Sequence, residues 1–347
     1  MLTTTQPYQC LETFNLSRFR FIISPVERLT LSPFKGSTLR GGFGTAFKRM
    51  VCLLRRENCA TCMLRDKCTY SRVFESPRLP SGGAERGASH DPHPFVIEPP
   101  LEARQDYLPG ELMDFDLVLV GSGANYFPYF ILAFEELGRM GIGKGRGKFN
   151  LVSVESIAGT AEGNGQLLYD SESQTVRTDY KTMGYSDLMR QVQALKHDAI
   201  TLHFLTPTRI KRQTGFTFTS PTSGICEQHL AVNVDFVTFI RNLLRRLSWL
   251  SELYCDRRWD LDYSGLLDRA RRNVHTVASD LRWYDWGRYS SRQDSRLKMG
   301  GFAGSITFEG DLAEFLPFIK TGEYIHVGQG TAYGLGKYLV EPADGIR

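Results

Sequence analysis

A chain of 347 residues, 41% of them hydrophobic, is long enough for two cores, and a net charge of +4 excludes a histone-like polycation. The opening MLTTTQPYQC has neither a basic n-region nor an apolar h-region, and the longest apolar run, near Tyr126 to Phe134, is too short to cross a bilayer, so the reading is cytoplasmic with no membrane partner. The charge is uneven: between Arg241 and Lys298, twelve arginines and one lysine stand against eight Asp and Glu, which suits a polyanionic partner or a solvated face.

Phe14 to Ile23 alternates and predicts a first strand. Ser37 is an expected N-cap, and Leu39, Phe43, Phe47, Met50, Val51 and Leu54 mark one face of the helix after it. Its first turn holds Gly41, Gly42 and Gly44 beside Arg40. Glycines weaken a helix, so they require a reason: a phosphate approaching the helix N-terminus, or close packing on a neighbour. Cys52, Cys59, Cys62 and Cys68 follow as an insertion spanning 52–68. The spacing C-x6-C-x2-C-x5-C suits a tetrahedral metal, read as structural zinc, with an iron–sulfur cluster, free thiols or disulfides as alternatives. Four thiolates close the coordination sphere, so such an ion would hold a loop and leave the chemistry to other groups. Cys10, Cys226 and Cys255 stand alone.

Residues 76–110 carry seven of the 15 prolines and read as a proline-rich loop. Leu112 to Val120 reads as a strand, Pro128 opens a helix that Gly138 ends, and Phe149 to Ile157 is a further strand. Residues 158–198 are polar, with a domain boundary near 195. Ala199 to Ile210 is a strand, and Asp235 caps a long helix whose buried stripe is Phe236, Phe239, Ile240, Leu243, Leu244, Leu247 and Leu250, with Arg241, Arg245 and Arg246 on its flank. Leu281 to Phe308 reads as a hairpin turning near Gly300-Gly301, followed by a helix over Asp311 to Lys320. Pro317 fits that helix only in its first turn.

The two halves end alike. Gly141-Ile142-Gly143-Lys144-Gly145-Arg146-Gly147-Lys148 and Val327-Gly328-Gln329-Gly330-Thr331-Ala332-Tyr333-Gly334-Leu335-Gly336-Lys337 each follow a helix opened by an aromatic–proline run and precede a strand. The order helix, glycines, strand is the reverse of a dinucleotide fingerprint. The duplication predicts an α+β chain of two tandem ferredoxin-like (RRM-like) βαββαβ domains, 1–195 and 196–347, with both glycine-rich loops available to a phosphate backbone.

Leu39 to Phe47 (LRGGFGTAF), Trp283 to Gln293 (WYDWGRYSSRQ), Gly304 to Leu312 (GSITFEGDL) and His326 to Tyr338 (HVGQGTAYGLGKY) resemble, in order, the CRISPR-associated endoribonucleases that cut precursor CRISPR RNA within its repeats, members of the RAMP superfamily. The resemblance implies tandem ferredoxin-like domains with a cleft between them. It also implies metal-independent cleavage by the ribose 2′-hydroxyl, leaving 2′,3′-cyclic phosphate and 5′-hydroxyl ends. This chemistry requires a base, an acid and cations. His326, beside the glycine loop 327–336, is the first candidate base, with Tyr289 and Arg288 as further catalytic candidates. Arg40, Lys144, Arg146, Arg292, Lys337 and the glycines Gly328, Gly330, Gly334 and Gly336 are candidate RNA contacts. Many members of the family carry a histidine on or near the first helix, and Leu39 to Val51 has none. The competing reading is a non-catalytic RAMP subunit that holds guide RNA among other CRISPR effector subunits.

Overall fold

The computed structural model describes residues 6–54, 58–59, 61–75, 92–158, 165–210, 234–284, 287–290, 295–298 and 300–343. Two compact units divide the chain: Thr13–Gly184 with Trp249–Arg258, and Met1–Glu12 with Tyr185–Ser248 and Trp259–Arg347.

The first unit is built on β1 (Leu16–Pro25), β2 (Leu29–Thr30), α1 (Gly36–Val51), β3 (Phe95–Glu98), β4 (Asp106–Tyr107), β5 (Met113–Val120), α2 (Phe127–Met140), β6 (Phe149–Ser156) and β7 (Gln166–Asp170). Its main sheet runs β3-β5-β1-β6-β7, and every pairing is antiparallel. Without the edge strand β7 this is the 2-3-1-4 order of a βαββαβ unit; β2 and β4 pair separately. Phe19 and Phe21 alternate inward along β1, and Phe115 stacks on Phe21 at 5.3 Å. Phe43 of α1 stacks on Phe130 of α2 at 4.5 Å. Each such ring removed from water contributes about 1.5–3 kcal/mol. That outweighs the roughly 0.5–1 kcal/mol cost of each helical glycine, so α1 forms in spite of Gly41, Gly42 and Gly44.

Three expectations shift here. Ser37 lies inside the first turn of α1, and the cap position falls to Lys35, whose buried ammonium donates to the Glu102 carbonyl at 2.7 Å. The face ends sooner than the apolar spacing suggested, because the helix stops at Val51 and leaves Met50 and Leu54 partly exposed. The proline-rich loop 76–110 contains β3 and β4. Phe95-Val96-Ile97-Glu98 is a short run between prolines, buried throughout and paired to β5 as an edge strand. Residues 76–91 lie outside the described residues.

The second unit comprises α3 (Tyr185–Val192), β8 (Ala199–Thr208), α4 (Phe236–Tyr254, its last residues grouped with the first unit), α5 (Tyr263–Asn273), β9 (Val274–Tyr284), β10 (Gly287–Ser290), β11 (Ser295–Lys298), β12 (Gly301–Gly310), α6 (Leu316–Ile325) and β13 (Tyr338–Pro342). Its sheet order β13-β8-β12-β9 is again that of a βαββαβ unit. Asp235 accepts the Thr238 amide at 2.6 Å at the start of α4, whose apolar stripe is buried, with Phe236 against Phe308 and Phe315. Pro317 falls in the first turn of α6, where its missing amide costs nothing.

Arg246 leaves the flank expected of it: it is buried, and its Nε donates to the Ile325 carbonyl at 2.9 Å. The expected hairpin is wider than its glycines suggested. Tyr284 pairs with Gly301, so the chain between them, including the separate β10–β11 hairpin, makes the connection. The units divide at Gly184, not near 195, because α3 joins α6, with the Tyr324 hydroxyl donating to Gln191 at 2.6 Å.

Candidate nucleic-acid interface

The second glycine loop joins α6 to β13. Gly328, Gly330, Gly334 and Gly336 all have positive φ, which the sequence supplies by placing glycine at each. The loop is wired inward. Val327 donates to Gly336, Gln329 to the Arg209 carbonyl at 3.0 Å, Gly336 to Pro207, and Lys337 to the Thr206 hydroxyl at 2.9 Å. Gly334 and Gly336 are buried, and a Cβ on Gly336 would meet the Val327 oxygen at 1.9 Å. These two shape the loop; the surface it offers a ligand lies at Gly328, Gln329, Gly330 and part of Lys337.

His326 opens this loop at φ 63° with no exposed surface, and its Nδ1 lies 3.1 Å from the Leu335 carbonyl. An imidazole enclosed in this way ties the loop and is not presented to a substrate. Arg209, at the end of β8, was read from the sequence only as the close of a strand. It lies half-buried beside the loop, and its buried Nε has no hydrogen-bond partner among the described residues.

The first glycine loop repeats the design. A bridge pairs Ile142 with Gly147, and the Lys144 amide donates to Thr30 at 2.9 Å. Lys144, Gly145 and Arg146 form the exposed tip, Arg146 taking φ 52°. Arg28 and Asp106 lie on the adjoining β2–β4 ribbon. The Arg28 guanidinium and then the Thr30 hydroxyl hold the Asp106 carboxyl below the usual range.

On α1 the glycines divide by role. Gly42 faces Leu137 and Gly44 faces Phe74, so both make close packing, whereas a Cβ on Gly41 would meet nothing within 4 Å. Arg40, next to Gly41, lies over the Phe74 ring at 4.0 Å and donates to Nε2 of His93 at 2.9 Å. Arginine only donates, so Nε2 is the acceptor and this neutral imidazole carries its proton on Nδ1. His93 is half-buried and stacks on Phe95 at 5.4 Å. The fold thus brings a histidine from the lead-in to β3 against an arginine 53 residues earlier. No local spacing signals the pair, and the proline-rich surroundings of His93 hid it.

The other predicted positions are less informative. Arg288 and Tyr289 fall in β10, whose side chains are outside the described set, and Arg292 lies outside the described residues. His275 lies exposed on β9, and His203 stands 3.2 Å from Glu341.

Cys52, Cys59, Cys62 and Cys68 converge on one cavity of about 20 Å³, walled also by Tyr70 and Ser71. Burial raises the Cys59 thiol pKa, and nearby Lys48 opposes that shift. Among the described residues no three His, Cys, Asp or Glu side chains stand in ready metal-holding geometry, so the expected tetrahedral zinc cage is not preformed. The donor set fits a soft tetrahedral ion in kind and number.

Two ferredoxin-like units, the second closed by a glycine-rich loop, define a protein of the RAMP fold. Residues 202–338 match the family model of the CRISPR-associated endoribonuclease Cas6, and residues 14–180 match AF_1859_N, described as an N-terminal domain. Residues 202–338 thus resemble the Cas6 endoribonuclease family, and the chain has the tandem ferredoxin-like fold of solved Cas6 structures. An uncharacterized protein of Archaeoglobus fulgidus is 27% identical over 313 residues, covering 89% of this chain and 92% of its own. A solved Cas6 product complex superposes with a TM-score of 0.54 at 16% identity, over 94% of this chain and all of that one. A partial Cas6-RT-Cas1–Cas2 complex gives 0.55 at 13% identity, over 95% of this chain and 46% of that one. At such identities the structural matches speak for the fold. Among the described residues no helix is long and apolar enough to cross a membrane.

Proposed function

We propose that this chain cuts precursor CRISPR RNA within its repeats without a catalytic metal, by attack of a ribose 2′-hydroxyl on the adjacent phosphate. The products are a 2′,3′-cyclic phosphate and a 5′-hydroxyl. The observation that carries this reading is the Arg40–His93 pair: an accessible imidazole acceptor and a permanent cation 2.9 Å apart on a rigid aromatic floor. Transesterification requires a base for the 2′-hydroxyl and positive charge for the phosphorane. When the scissile phosphate enters, Arg40 turns to its oxygens and frees Nε2 of His93 to take the 2′-hydroxyl proton.

His326 holds the glycine loop in shape and does not act as the base. Arg209, Lys144, Arg146, Lys337 and the rim at Gly328 and Gly330 contact the RNA backbone, and the segment carrying Arg288, Tyr289 and Arg292 supplies further contacts. The RNA is met in the cytoplasm.

The test uses purified chain, repeat RNA and EDTA. Cutting of native RNA, with none of an analogue lacking the scissile 2′-hydroxyl, supports the reading. Binding without cutting would instead make the chain a guide-RNA-holding subunit. His93→Ala lowers the single-turnover rate about 10²–10⁴-fold with RNA affinity retained, in the range expected for a lost proton-transfer group. An unchanged rate removes His93 from the mechanism.

A further inference from the structure

Among its described residues, the segment between α1 and the π-helical turn Ser71–Glu75 shows no apolar core of its own. Leu53 is 84% exposed and Met63 79% exposed, so burial does not hold this knuckle together. Chain this short, with its apolar residues in water, requires another staple. All four of its cysteines are free thiols, and all four line the same small cavity. Cys52 ends α1 through its amide to Lys48; Cys59 and Cys62 share a tight turn, with Cys62 donating to the Cys59 carbonyl at 3.3 Å. Lys48 neighbours the Cys59 thiol and Arg65 lines the cavity, so positive charge is at hand for a thiolate-rich centre. A cavity of about 20 Å³ exceeds the roughly 10–15 Å³ that one small occupant requires.

We infer that Cys52, Cys59, Cys62 and Cys68 close around a single zinc ion, each thiol giving up its proton, and that this ion clasps the floor beneath Arg40. The connection is short. Cys68 accepts the Arg72 amide at 3.0 Å, opening the turn that carries Phe74. Tyr70 stacks on Phe74 at 5.2 Å, and Phe74 lies against Gly44, under Arg40 and 5.9 Å from His93. The site is coordinatively closed and takes no part in the chemical step. The metal site stands without the function proposed above; its link to catalysis rests on that function.

The experiment uses the full chain, stripped of metal under reducing conditions and titrated with Co²⁺ and then Zn²⁺. One Co²⁺ per chain is expected, with sulfur-to-cobalt charge transfer and tetrahedral ligand-field bands that Zn²⁺ abolishes. Four of the seven cysteines should become unreactive to a thiol reagent. Cys59→Ser with Cys62→Ser removes the bands, with folding checked by circular dichroism. Amide exchange over residues 68–75 should slow at least tenfold with Zn²⁺ in the wild-type chain. The inference is overturned by sub-stoichiometric binding with Cys52, Cys59, Cys62 and Cys68 as reactive as in the metal-free chain, by an iron–sulfur chromophore in anaerobically isolated protein, or by exchange over 68–75 that ignores the metal. None of these readouts uses RNA, so failure of the proposed cleavage leaves the test intact.

Discussion

Gly41 and Gly44 lie three residues apart on α1 and face opposite circumstances, so changing each to alanine separates helix propensity from packing. Alanine in a helix interior is favoured over glycine by about 0.5–1 kcal/mol. At Gly41 the new methyl meets nothing within 4 Å, so the whole of that gain should appear. At Gly44 it would lie 2.2 Å from the Phe74 Cζ atom. The ring must move, and it is held by Phe43, Tyr70, Phe95 and the Arg40 guanidinium. Overpacking of this kind costs about 1–3 kcal/mol, so the net for Gly44→Ala is a destabilisation of roughly 0–2.5 kcal/mol once the propensity gain is subtracted. Because the chain has two units, the assay is native-state amide exchange of α1 in dilute denaturant, which reads the first unit directly. RNA binding is measured alongside. Gly44→Ala should also loosen the Arg40–His93 pair and slow cleavage, whereas Gly41→Ala should lower RNA affinity only where a backbone phosphate comes close to the helix. Exchange at α1 that slows in Gly44→Ala as much as in Gly41→Ala would refute the packing argument.

His326→Ala should destabilise the second unit by about 1–3 kcal/mol through loss of a buried hydrogen bond, and His326→Gly by less because it relieves the left-handed backbone; both should keep the single-turnover rate at saturating RNA within a few-fold, and a loss of two orders of magnitude would reinstate His326 as the base. Replacing Lys144 and Arg146 together by alanine should weaken RNA binding regardless of sequence and reduce the slope of log affinity against log salt by about 1.4 for two single-stranded phosphate contacts, read by titration at several salt concentrations. Cys255 should be the slow thiol: burial raises its pKa to about 11, partly opposed by the Asn15 backbone and reinforced by Asp256. The raised folded-state value makes its contribution to stability, about 2–3 kcal/mol, fully present below pH 9 and lost as pH rises towards 11; denaturation at graded pH, with Cys255→Ala as the flat control, checks the sign.

Much of the fold was legible because its signals are local. The alternation of Phe19 and Phe21 on β1, the apolar stripe from Phe236 to Leu250, and prolines seated in the first turns of α2 and α6 each report a period or a cap within one element. The paired glycine loops were legible for the same reason, since positive φ at so many positions is met most readily by glycine. The clustering of four cysteines followed from their spacing within one segment.

What the sequence by itself determined, then, was the duplicated α+β architecture and the glycine-rich turns, since both rest on near-neighbour periodicity and backbone sterics. Only the tertiary structure decided which histidine meets the surface. His326 sits beside the most conspicuous motif, yet the fold buries it against the Leu335 carbonyl; His93 sits in an unpromising proline-rich stretch, yet strand pairing carries it to Arg40. Burial and long-range pairing depend on residues far away along the chain, and no local pattern of residue types records them.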